Sequence, residues 1–373
     1  MMLNQTPDLP SLASTVVDWQ KQHGRHHLPW QGTQDPYRIW LSEIMLQQTQ
    51  VATVIGYYER FLVRFPDIGS LAQARQEDVM PYWAGLGYYA RARNLHRCAQ
   101  ELAANWDCHF PPTPEQIAML PGIGRSTAAA IAAFAYGTRS PIMDGNVKRV
   151  FTRYFGIYGV TSQRAIENLL WATAQGAVEA APVELDMAAY TQGLMDLGSQ
   201  CCVRGRPDCA RCPLKARCYA YEHGVQQELP TPKPRKTSPE RECKMLVLRS
   251  QGKILLEQQV SPGIWGGLWS LPQYGDTSEI EAACNHLGQS STAARRMAGL
   301  LHVFSHFKLH IEPWYLRNDT LQVAETSPRQ SWIAIEDLAS TALPAPIRKI
   351  LDGLFGPYGR ELPLVTDAPA DTG

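Results

Sequence analysis

Apolar residues recur every three or four positions through most of the chain up to about residue 225, and Gly and Pro interrupt these runs. This spacing is the period of an amphipathic helix, so the pattern predicts a mostly helical first part of the chain. The helical segments that the pattern predicts are residues 36–65, 76–106, 114–136, 146–154 and 163–179.

The pattern changes after residue 228. Residues 229–242, LPTPKPRKTSPERE, contain four prolines, and because no helix interior or central strand tolerates this density, the segment predicts a linker. Beyond it, CKMLVLRSQGKILLEQQ indicates two strands around a Gln251–Gly252 turn, and HFKLHIEPWYL alternates like another strand. We expect a helical domain over 1–228, this linker, an α+β domain over 243–358 and a disordered tail over 359–373.

The composition is that of a globular protein. The 373 residues are enough for two cores, and 45% of them are hydrophobic against 19% charged. No apolar run is long enough to cross a bilayer and no secretory signal is visible, so we expect a cytoplasmic protein with no membrane contact. The 35 basic and 35 acidic residues cancel, so a nucleic-acid site would have to be a local patch.

Five of the nine cysteines lie between positions 201 and 218, and four of them follow the spacing C-x6-C-x2-C-x5-C. Four thiolates within seventeen residues suit a tetrahedral zinc ion or a 4Fe–4S cluster. Zinc sites usually contain two paired groups, and here only one CxxC pair is present, although a zinc knuckle stays an alternative. The predicted ligands are Cys202, Cys209, Cys212 and Cys218.

The same loop is rich in cations. It has five basic residues against the single acid Asp208, and a metal-stapled loop would present them together as a phosphate-binding patch. The alternative is an ordinary solvated surface loop. The five cations are Arg204, Arg206, Arg211, Lys215 and Arg217.

A glycine-rich hairpin, LPGIGRST, joins two helical segments at residues 120–127. Gly122 and Gly124 permit positive φ and a close approach by a foreign backbone, and the N–H groups that follow open a helix where an anion or a bridging cation can dock. We expect Ser126 and Thr127 to cap this helix. The alternative is a plain turn between helices.

Two carboxylates are candidates for chemistry. Asp144 precedes a predicted helix, where its simplest role is that of an N-cap. At 100° per residue, Glu43 falls on the same side of its helix as Trp40, Val54 and Phe61. Burial on this apolar stripe would raise the pKa of Glu43 toward neutrality and suit it to general acid catalysis. The alternative is a glutamate that reaches solvent or pairs with an arginine.

Together these motifs resemble the helix–hairpin–helix DNA glycosylases. The hairpin followed by Asp144 is typical of that superfamily, the cysteine spacing resembles its endonuclease III and MutY branch, and WLSEIMLQQTQVATVI resembles MutY-type adenine DNA glycosylases. The resemblance implies a 4Fe–4S cluster on the four cysteines. It also implies that Asp144 faces the sugar and stabilises oxocarbenium-like charge, while Glu43 protonates the purine.

The resemblance also implies contacts with DNA. Gln48 and Tyr88 would wedge into the duplex, Gln192 would read the adenine edge, and Arg91 and Arg93 would meet phosphates. The alternative for Tyr88 is that its side chain is part of the hydrophobic core. The full set of DNA-binding residues that we expect is Gln47, Gln48, Tyr88, Gly122, Gly124, Ser126 and Gln192.

Residue 126 separates two kinds of glycosylase. Enzymes that also cut the strand use a lysine there to form a Schiff base with the sugar, which Ser126 cannot do. Lys148 does not match the family's lysine position. We therefore expect hydrolysis without strand cleavage. Some family members have Tyr at this position.

The second domain resembles the Nudix-like domain of MutY-type enzymes, through GIWGGLWSLP at 263–272 and FSHF at 304–307. A Nudix hydrolase needs an Arg-Glu-x-x-Glu-Glu run for magnesium, which this segment lacks, so we expect recognition rather than hydrolysis. The resemblance implies that Phe304, Ser305 and His306 contact 8-oxoguanine. Simple strand packing is the alternative.

The prediction is a monomeric, monofunctional DNA glycosylase of base-excision repair. Its substrate would be adenine mispaired with 8-oxoguanine or guanine in duplex DNA. Two alternatives stay open: an endonuclease III-like glycosylase acting on oxidised pyrimidines, and a redox-active DNA-binding module without catalysis.

Overall fold

The computed structural model describes residues 9–234, 237–260, 263–320 and 329–356. The tail predicted at 359–373 lies outside them. The described residues divide into two compact units, one formed by residues 9–73 and 93–234 and the other by residues 74–92 and the described residues from 237 to 356.

The chain is helical from its first described residue to residue 222. The helices are α1 (Leu9–His23), α2 (Pro36–Met45), α3 (Val51–Arg64), α4 (Ile68–Gln73), α5 (Gln76–Val79), α6 (Ala90–Asn105), α7 (Pro114–Ala118), α8 (Arg125–Tyr136), α9 (Gly145–Phe155), α10 (Arg164–Ala180), α11 (Met187–Asp196) and α12 (Tyr219–Glu222). A π-helical turn, Leu197–Cys201, continues α11 toward the cysteine loop.

Two of the long predicted segments are interrupted. The segment 36–65 breaks between Met45 and Val51, where Gln48 has a φ of +57° that a helix cannot contain. Val54 and Phe61 therefore lie on α3 and not on the helix of Glu43, so the shared-stripe argument for Glu43 was wrong. The segment 76–106 breaks in the same way between α5 and α6.

The core of the first unit forms where α1, α9, α10 and α11 meet. Val16 of α1, Phe151 of α9 and Leu194 of α11 are almost completely buried in it. Burying a side chain of this size stabilises the fold by about 1.5–3 kcal/mol. Cys202, Cys212 and Cys218 pack against the edge of this core, so the cysteine loop is anchored to it.

The second unit is built on a mixed sheet. The elements are β1 (Glu240–Ser250), β2 (Lys253–Gln258), β3 (Trp269–Ser270), β4 (Gln273–Tyr274), α13 (Thr277–His286), β5 (Arg295–Arg296), β6 (Leu300–Val303), β7 (Lys308–Arg317), β8 (Gln330–Ala334) and α14 (Ala345–Phe355). The continuous path of the sheet runs β3-β2-β1-β7-β5, while β4 pairs with β1, β6 with β7 and β8 with β2.

The predicted hairpin at Gln251–Gly252 is confirmed. These residues have φ values of +47° and +76°, and Ser250 pairs with Lys253, as a two-residue turn with positive φ at both positions requires. β1 begins at Glu240, inside the predicted linker, because residues 240–249 pair in parallel with β7. The expected strand at 306–316 is β7 itself.

The predicted fold class, a helical part followed by an α+β part, is confirmed. Among the described residues, no helix combines the length and apolar character that crossing a membrane requires.

The π-helical turn packs closely on the start of α9, which gives a test of this contact. A Cβ on Gly198 would lie 2.5 Å from the Cβ of Asn146, so Gly198→Ala should force α9 and the turn apart. We expect the free energy of unfolding to fall by about 1–3 kcal/mol in denaturant titrations. Gly205→Ala is the control, because a Cβ there meets no atom within 4 Å. Equal stabilities for the two variants would contradict this packing.

Candidate active site

Glu43 lies on α2, half-buried between fully buried neighbours on the same helix. Burial and, as the smaller cause, the nearby Asp144 carboxylate together raise the pKa of its carboxyl group from 4.5 to about 7. The pKa of Glu43 is therefore raised as expected, but its burial does not come from a stripe shared with Val54 and Phe61, and the charge of Asp144 is a second cause. A carboxyl group whose pKa is near neutrality can hold and release a proton at neutral pH.

Asp144 is the N-cap of α9. Its Oδ1 accepts a hydrogen bond from the Val147 amide at 2.7 Å, and its Oδ2 accepts one from the Asn146 side chain at 3.1 Å. Burial raises the pKa of Asp144, while these hydrogen bonds oppose the rise by stabilising the ionised form. The two carboxyl groups thus stand in different surroundings, the arrangement that separates an acid from a stabilising anion.

A chain of hydrogen bonds leads from Asp144 to the cysteine loop. Asn146 donates to Asp144 and accepts from Nη2 of Arg149 at 2.9 Å. The Nε of Arg149 donates to the carbonyl oxygen of Cys202 at 2.6 Å. The sequence interpretation missed Asn146 and Arg149, whose only signal was their spacing of three residues on the helix that Asp144 caps.

One turn later, Arg153 is almost completely buried. Its guanidinium donates to the Sγ of Cys202 at 3.3 Å and to the carbonyl oxygens of Val203 and Leu229 at 2.8 Å each. A buried cation is costly unless its donors are satisfied, so these contacts bind the cysteine loop tightly to α9. This residue too was missed from the sequence.

The four predicted cysteine ligands line one pocket. Arg153 and Cys201 line it as well, and the Sγ of Cys201 donates to the carbonyl oxygen of Asp208 at 3.1 Å. Nowhere in the described part of the chain do three His, Cys, Asp or Glu side chains converge to hold a single metal ion. Four thiols that line a shared space are the donor set that a zinc ion or a 4Fe–4S cluster requires.

The glycine hairpin has the expected geometry at its first glycine. Gly122 has a φ of +78°, and a Cβ there would lie 2.5 Å from the Cβ of Asn94, so no other residue fits without movement. Gly124 is the N-cap of α8 and is exposed. No side chain caps this described helix, which leaves its N-terminus facing outward as an anion site requires.

Capping by Ser126 and Thr127 was therefore wrong, because α8 already begins at Arg125. The Ser126 hydroxyl instead accepts from the Met143 amide at 3.0 Å, and Thr127 Oγ1 accepts from the Gln47 side chain at 3.5 Å. These bonds tie the hairpin helix to the residue before Asp144 and to the end of α2.

The expected wedge residues both have left-handed backbones. Gln48 is exposed with a φ of +57°, and Tyr88, which belongs to the second unit, is 45% exposed with a φ of +49°. A core position for Tyr88 is excluded by this exposure. Each conformation costs about 1–3 kcal/mol for a residue with a side chain, a strain found mainly at functional sites.

Gln192 is half-buried on α11, and its Nε2 donates to Oδ1 of Asp196 at 2.9 Å. Asp196 is completely buried and pairs with Arg25 at 2.6 Å. Since Asp196 accepts from the amide nitrogen, the orientation of the Gln192 carboxamide is determined.

The FSHF segment forms the turn between β6 and β7. Phe304 stacks on the buried Phe307 with ring centroids 4.4 Å apart, which agrees with the alternative that the FSHF segment simply packs in the sheet. Ser305 and His306, however, are exposed at the tip, with Ser305 Oγ 3.4 Å from Nδ1 of His306. Packing therefore explains the phenylalanines and leaves the two polar residues available for a ligand.

The helix that would carry a Nudix magnesium site is α13. Asp276 caps it by accepting from the Glu279 amide at 3.0 Å, and Glu279 reaches back to accept from the Gly275 amide at 2.7 Å. Asp276 and Glu279 thus both accept hydrogen bonds from backbone amides at the start of α13.

Comparison with known proteins adds to this geometry. Residues 41–175 match the model of the HhH-GPD superfamily of base excision DNA repair proteins, and residues 244–353 match the NUDIX domain model. An adenine DNA glycosylase of Buchnera aphidicola subsp. Acyrthosiphon pisum is 34% identical over 90% of this chain and 95% of its own. The mouse adenine DNA glycosylase is 30% identical over 94% of this chain and 79% of its own.

The chain belongs to the adenine DNA glycosylase family. The predicted resemblance and the prediction of a base-excision DNA glycosylase, a hydrolase of N-glycosyl bonds, are confirmed at that level. Among solved structures, a thermostable thymine-DNA glycosylase matches 58% of this chain and 97% of its own, with a TM-score of 0.51 and 27% identity. The two family models that match, HhH-GPD and NUDIX, correspond to the helical part and to the α+β part of the chain.

The raised pKa of Glu43 predicts how the glycosylase rate depends on pH. If protonated Glu43 is the general acid, the single-turnover rate constant should fall about tenfold per pH unit above the pKa of about 7. Toward acid pH the rate should fall again as Asp144 becomes protonated. Rapid-quench measurements from about pH 5 to about pH 10 check this profile. The exposed Glu59→Gln should leave it unchanged, and a flat profile above pH 7 would rule out Glu43 as the acid.

Proposed function

We propose that this protein removes adenine mispaired with 8-oxoguanine or guanine in duplex DNA by hydrolysing its N-glycosidic bond. The observation that carries the proposal is the Glu43–Asp144 pair, in which a carboxyl group with a pKa of about 7 lies near an N-capping carboxylate. Both belong to the unit that contains the glycine hairpin.

Glu43 is the proton donor. In its protonated form it gives a proton to a ring nitrogen of the adenine, so the base can leave as a neutral molecule with the electron pair of the broken C1′–N9 bond. A pKa of about 7 keeps a substantial fraction of the carboxyl group protonated at neutral pH, where an ordinary glutamate would be almost completely ionised.

Asp144 stabilises the positive charge that develops on the sugar. The amide of Val147 and the side chain of Asn146 hold its carboxylate in place, so little reorganisation is needed as charge appears. Water then adds its hydroxyl group to C1′, and the ionised Glu43 takes up the released proton. This returns both residues to their starting states and leaves an abasic site.

Contacts with the duplex come from several elements. The exposed N-terminus of α8 at Gly124 receives a phosphate, and Gln48 and Tyr88 enter the stack as the adenine leaves it. Gln192, whose amide nitrogen is directed to Asp196, offers its oxygen to the amino group of adenine. Extruding a base costs a few kcal/mol, which these contacts offset.

The exposed turn at Ser305 and His306 is proposed to contact 8-oxoguanine, with Phe304 packed behind it. Ser126 has no amine and accepts from the Met143 amide, so no Schiff base forms there and the strand stays uncut.

Cys202, Cys209, Cys212 and Cys218 would hold a 4Fe–4S cluster in their shared pocket. When bound, such a group supplies four metal–thiolate bonds that staple the loop, and its redox chemistry is not needed for glycosidic hydrolysis. The stapled loop keeps the carbonyl oxygen of Cys202 in place for Arg149, and its exposed cations Arg204 and Arg206 face phosphate.

Single-turnover release of adenine from an adenine:8-oxoguanine duplex tests the proposal. Glu43→Gln and Asp144→Asn remove the proton donor and the anion, and each should lower the rate constant by about 10²-fold or more. The matched controls Glu59→Gln and Asp18→Asn change exposed carboxylates and should keep the wild-type rate. Wild-type release no faster than that of the two site variants would refute the mechanism, and excision of oxidised pyrimidines in its place would favour the endonuclease III-like alternative.

The cluster has its own test, independent of activity. The purified protein should contain about four iron atoms and four sulfides per chain and absorb broadly in the visible range. Cys209→Ser should lose iron and unfold at a lower temperature, whereas Cys108→Ser, which changes an exposed cysteine outside the loop, should not. Zinc in place of iron, or full iron content in Cys209→Ser, would overturn the assignment.

A further inference from the structure

The turn that presents Tyr88 has positive φ at most of its residues. Gly85, Gly87 and Tyr88 have φ values of +101°, +72° and +49°, so three of four consecutive residues are in the left-handed half of conformational space. The two glycines adopt this backbone freely, but Tyr88 does not. A side-chain-bearing residue stays in this conformation only when its surroundings determine it.

Arg91, in the first turn of α6, makes several of the contacts that hold this backbone in place. Its Nη2 donates to the carbonyl oxygens of Leu86 at 3.3 Å and Gly87 at 3.1 Å, and its backbone amide donates to the carbonyl oxygen of Tyr88 at 2.8 Å. The Nε1 of Trp83 donates to the same Gly87 oxygen at 3.3 Å. Three successive carbonyl groups of the turn are thus held by two residues.

The guanidinium also lies against two aromatic rings. Its carbon is 5.3 Å from the ring centroid of Trp83 and 5.5 Å from that of Tyr88, within the range of cation–π attraction. Trp83 is completely buried and Tyr88 is 45% exposed, so the guanidinium of Arg91 connects the buried Trp83 ring to the exposed Tyr88 ring.

We infer that Arg91 is a positioning residue, which holds the turn from Gly85 to Tyr88 so that the Tyr88 ring is presented to the duplex. This differs from the sequence interpretation of Arg91 as a phosphate contact, because its guanidinium is directed into its own turn. The inference rests on the proposed function, since a wedge has meaning only if the protein extrudes a base from DNA.

Arginine suits this place better than lysine. A planar fork can donate to two neighbouring carbonyl oxygens while its faces contact aromatic rings, whereas an ammonium group is a point charge that cannot do both. Arg91→Lys therefore keeps the charge and loses the geometry. A phosphate contact, which needs mainly the charge, would largely survive this change.

The experiment uses the full-length protein and a duplex with 2-aminopurine opposite 8-oxoguanine, whose fluorescence rises when the base leaves the stack. We expect Arg91→Lys and Arg91→Met to reduce this rise strongly and to lower the single-turnover rate constant for adenine by about 10- to 100-fold. The dependence of binding on salt should stay that of the wild type. Arg97→Met, on the exposed face of the same helix, is the matched control and should behave as wild type.

A double-mutant cycle distinguishes an effect of Arg91 through Tyr88 from a general loss of structure. If Arg91 acts through Tyr88, then Arg91→Met should add little to the loss already caused by Tyr88→Ala. Thermal unfolding of each variant checks the fold. If Arg91→Met does not fold, Arg91→Lys and Trp83→Phe, which removes the indole donor to Gly87, carry the same test.

Three results would overturn the inference. A slope of log binding constant against log salt that falls by about one in Arg91→Met would identify a phosphate contact. Full additivity with Tyr88→Ala, or wild-type fluorescence and rate in folded Arg91→Lys, would also refute positioning. If the wild-type protein itself neither raises the fluorescence nor releases adenine, the proposed function fails instead.

Discussion

The structure depends on two arginines of α9 and the backbone carbonyl groups that satisfy them. Arg149 reaches the carbonyl oxygen of Cys202, and Arg153 is buried among the carbonyl groups of the cysteine loop. Removing those acceptors would leave buried cations without partners, one of the most destabilising changes that a fold can undergo. The loop and the helix that carries Asp144 are therefore held together.

The two carboxyl groups show how one site separates two roles. Glu43 has a pKa of about 7 because burial and the Asp144 charge both disfavour its ionised form. Asp144 is buried too, but it receives hydrogen bonds from Val147 and Asn146 that favour its ionised form. These different surroundings support the proposed roles of Asp144 as the stabilising anion and of Glu43 as the acid.

Strained backbone recurs where the protein is expected to enter DNA. Gln48 and Tyr88 have positive φ without being glycine, and Gln48 lies just after the end of α2 while Tyr88 lies just before the start of α6. Such a conformation lowers stability and persists only when neighbouring contacts require it, as Arg91 and Trp83 do for Tyr88. In the hairpin between β1 and β2, by contrast, Gln251 has positive φ simply because a two-residue turn needs it.

The sequence by itself determined the features that depend on local chemistry. The hairpin at Gly122, the turn at Gln251–Gly252 and the two-part organisation follow from dihedral preferences and periodicity, which neighbouring residues express without the rest of the chain. Only the tertiary structure showed that α2 ends before Val54, that Ser126 binds the Met143 amide and that Asn146 and Arg149 connect Asp144 to Cys202. These contacts join residues that are distant in sequence or depend on side-chain direction, and packing decides both.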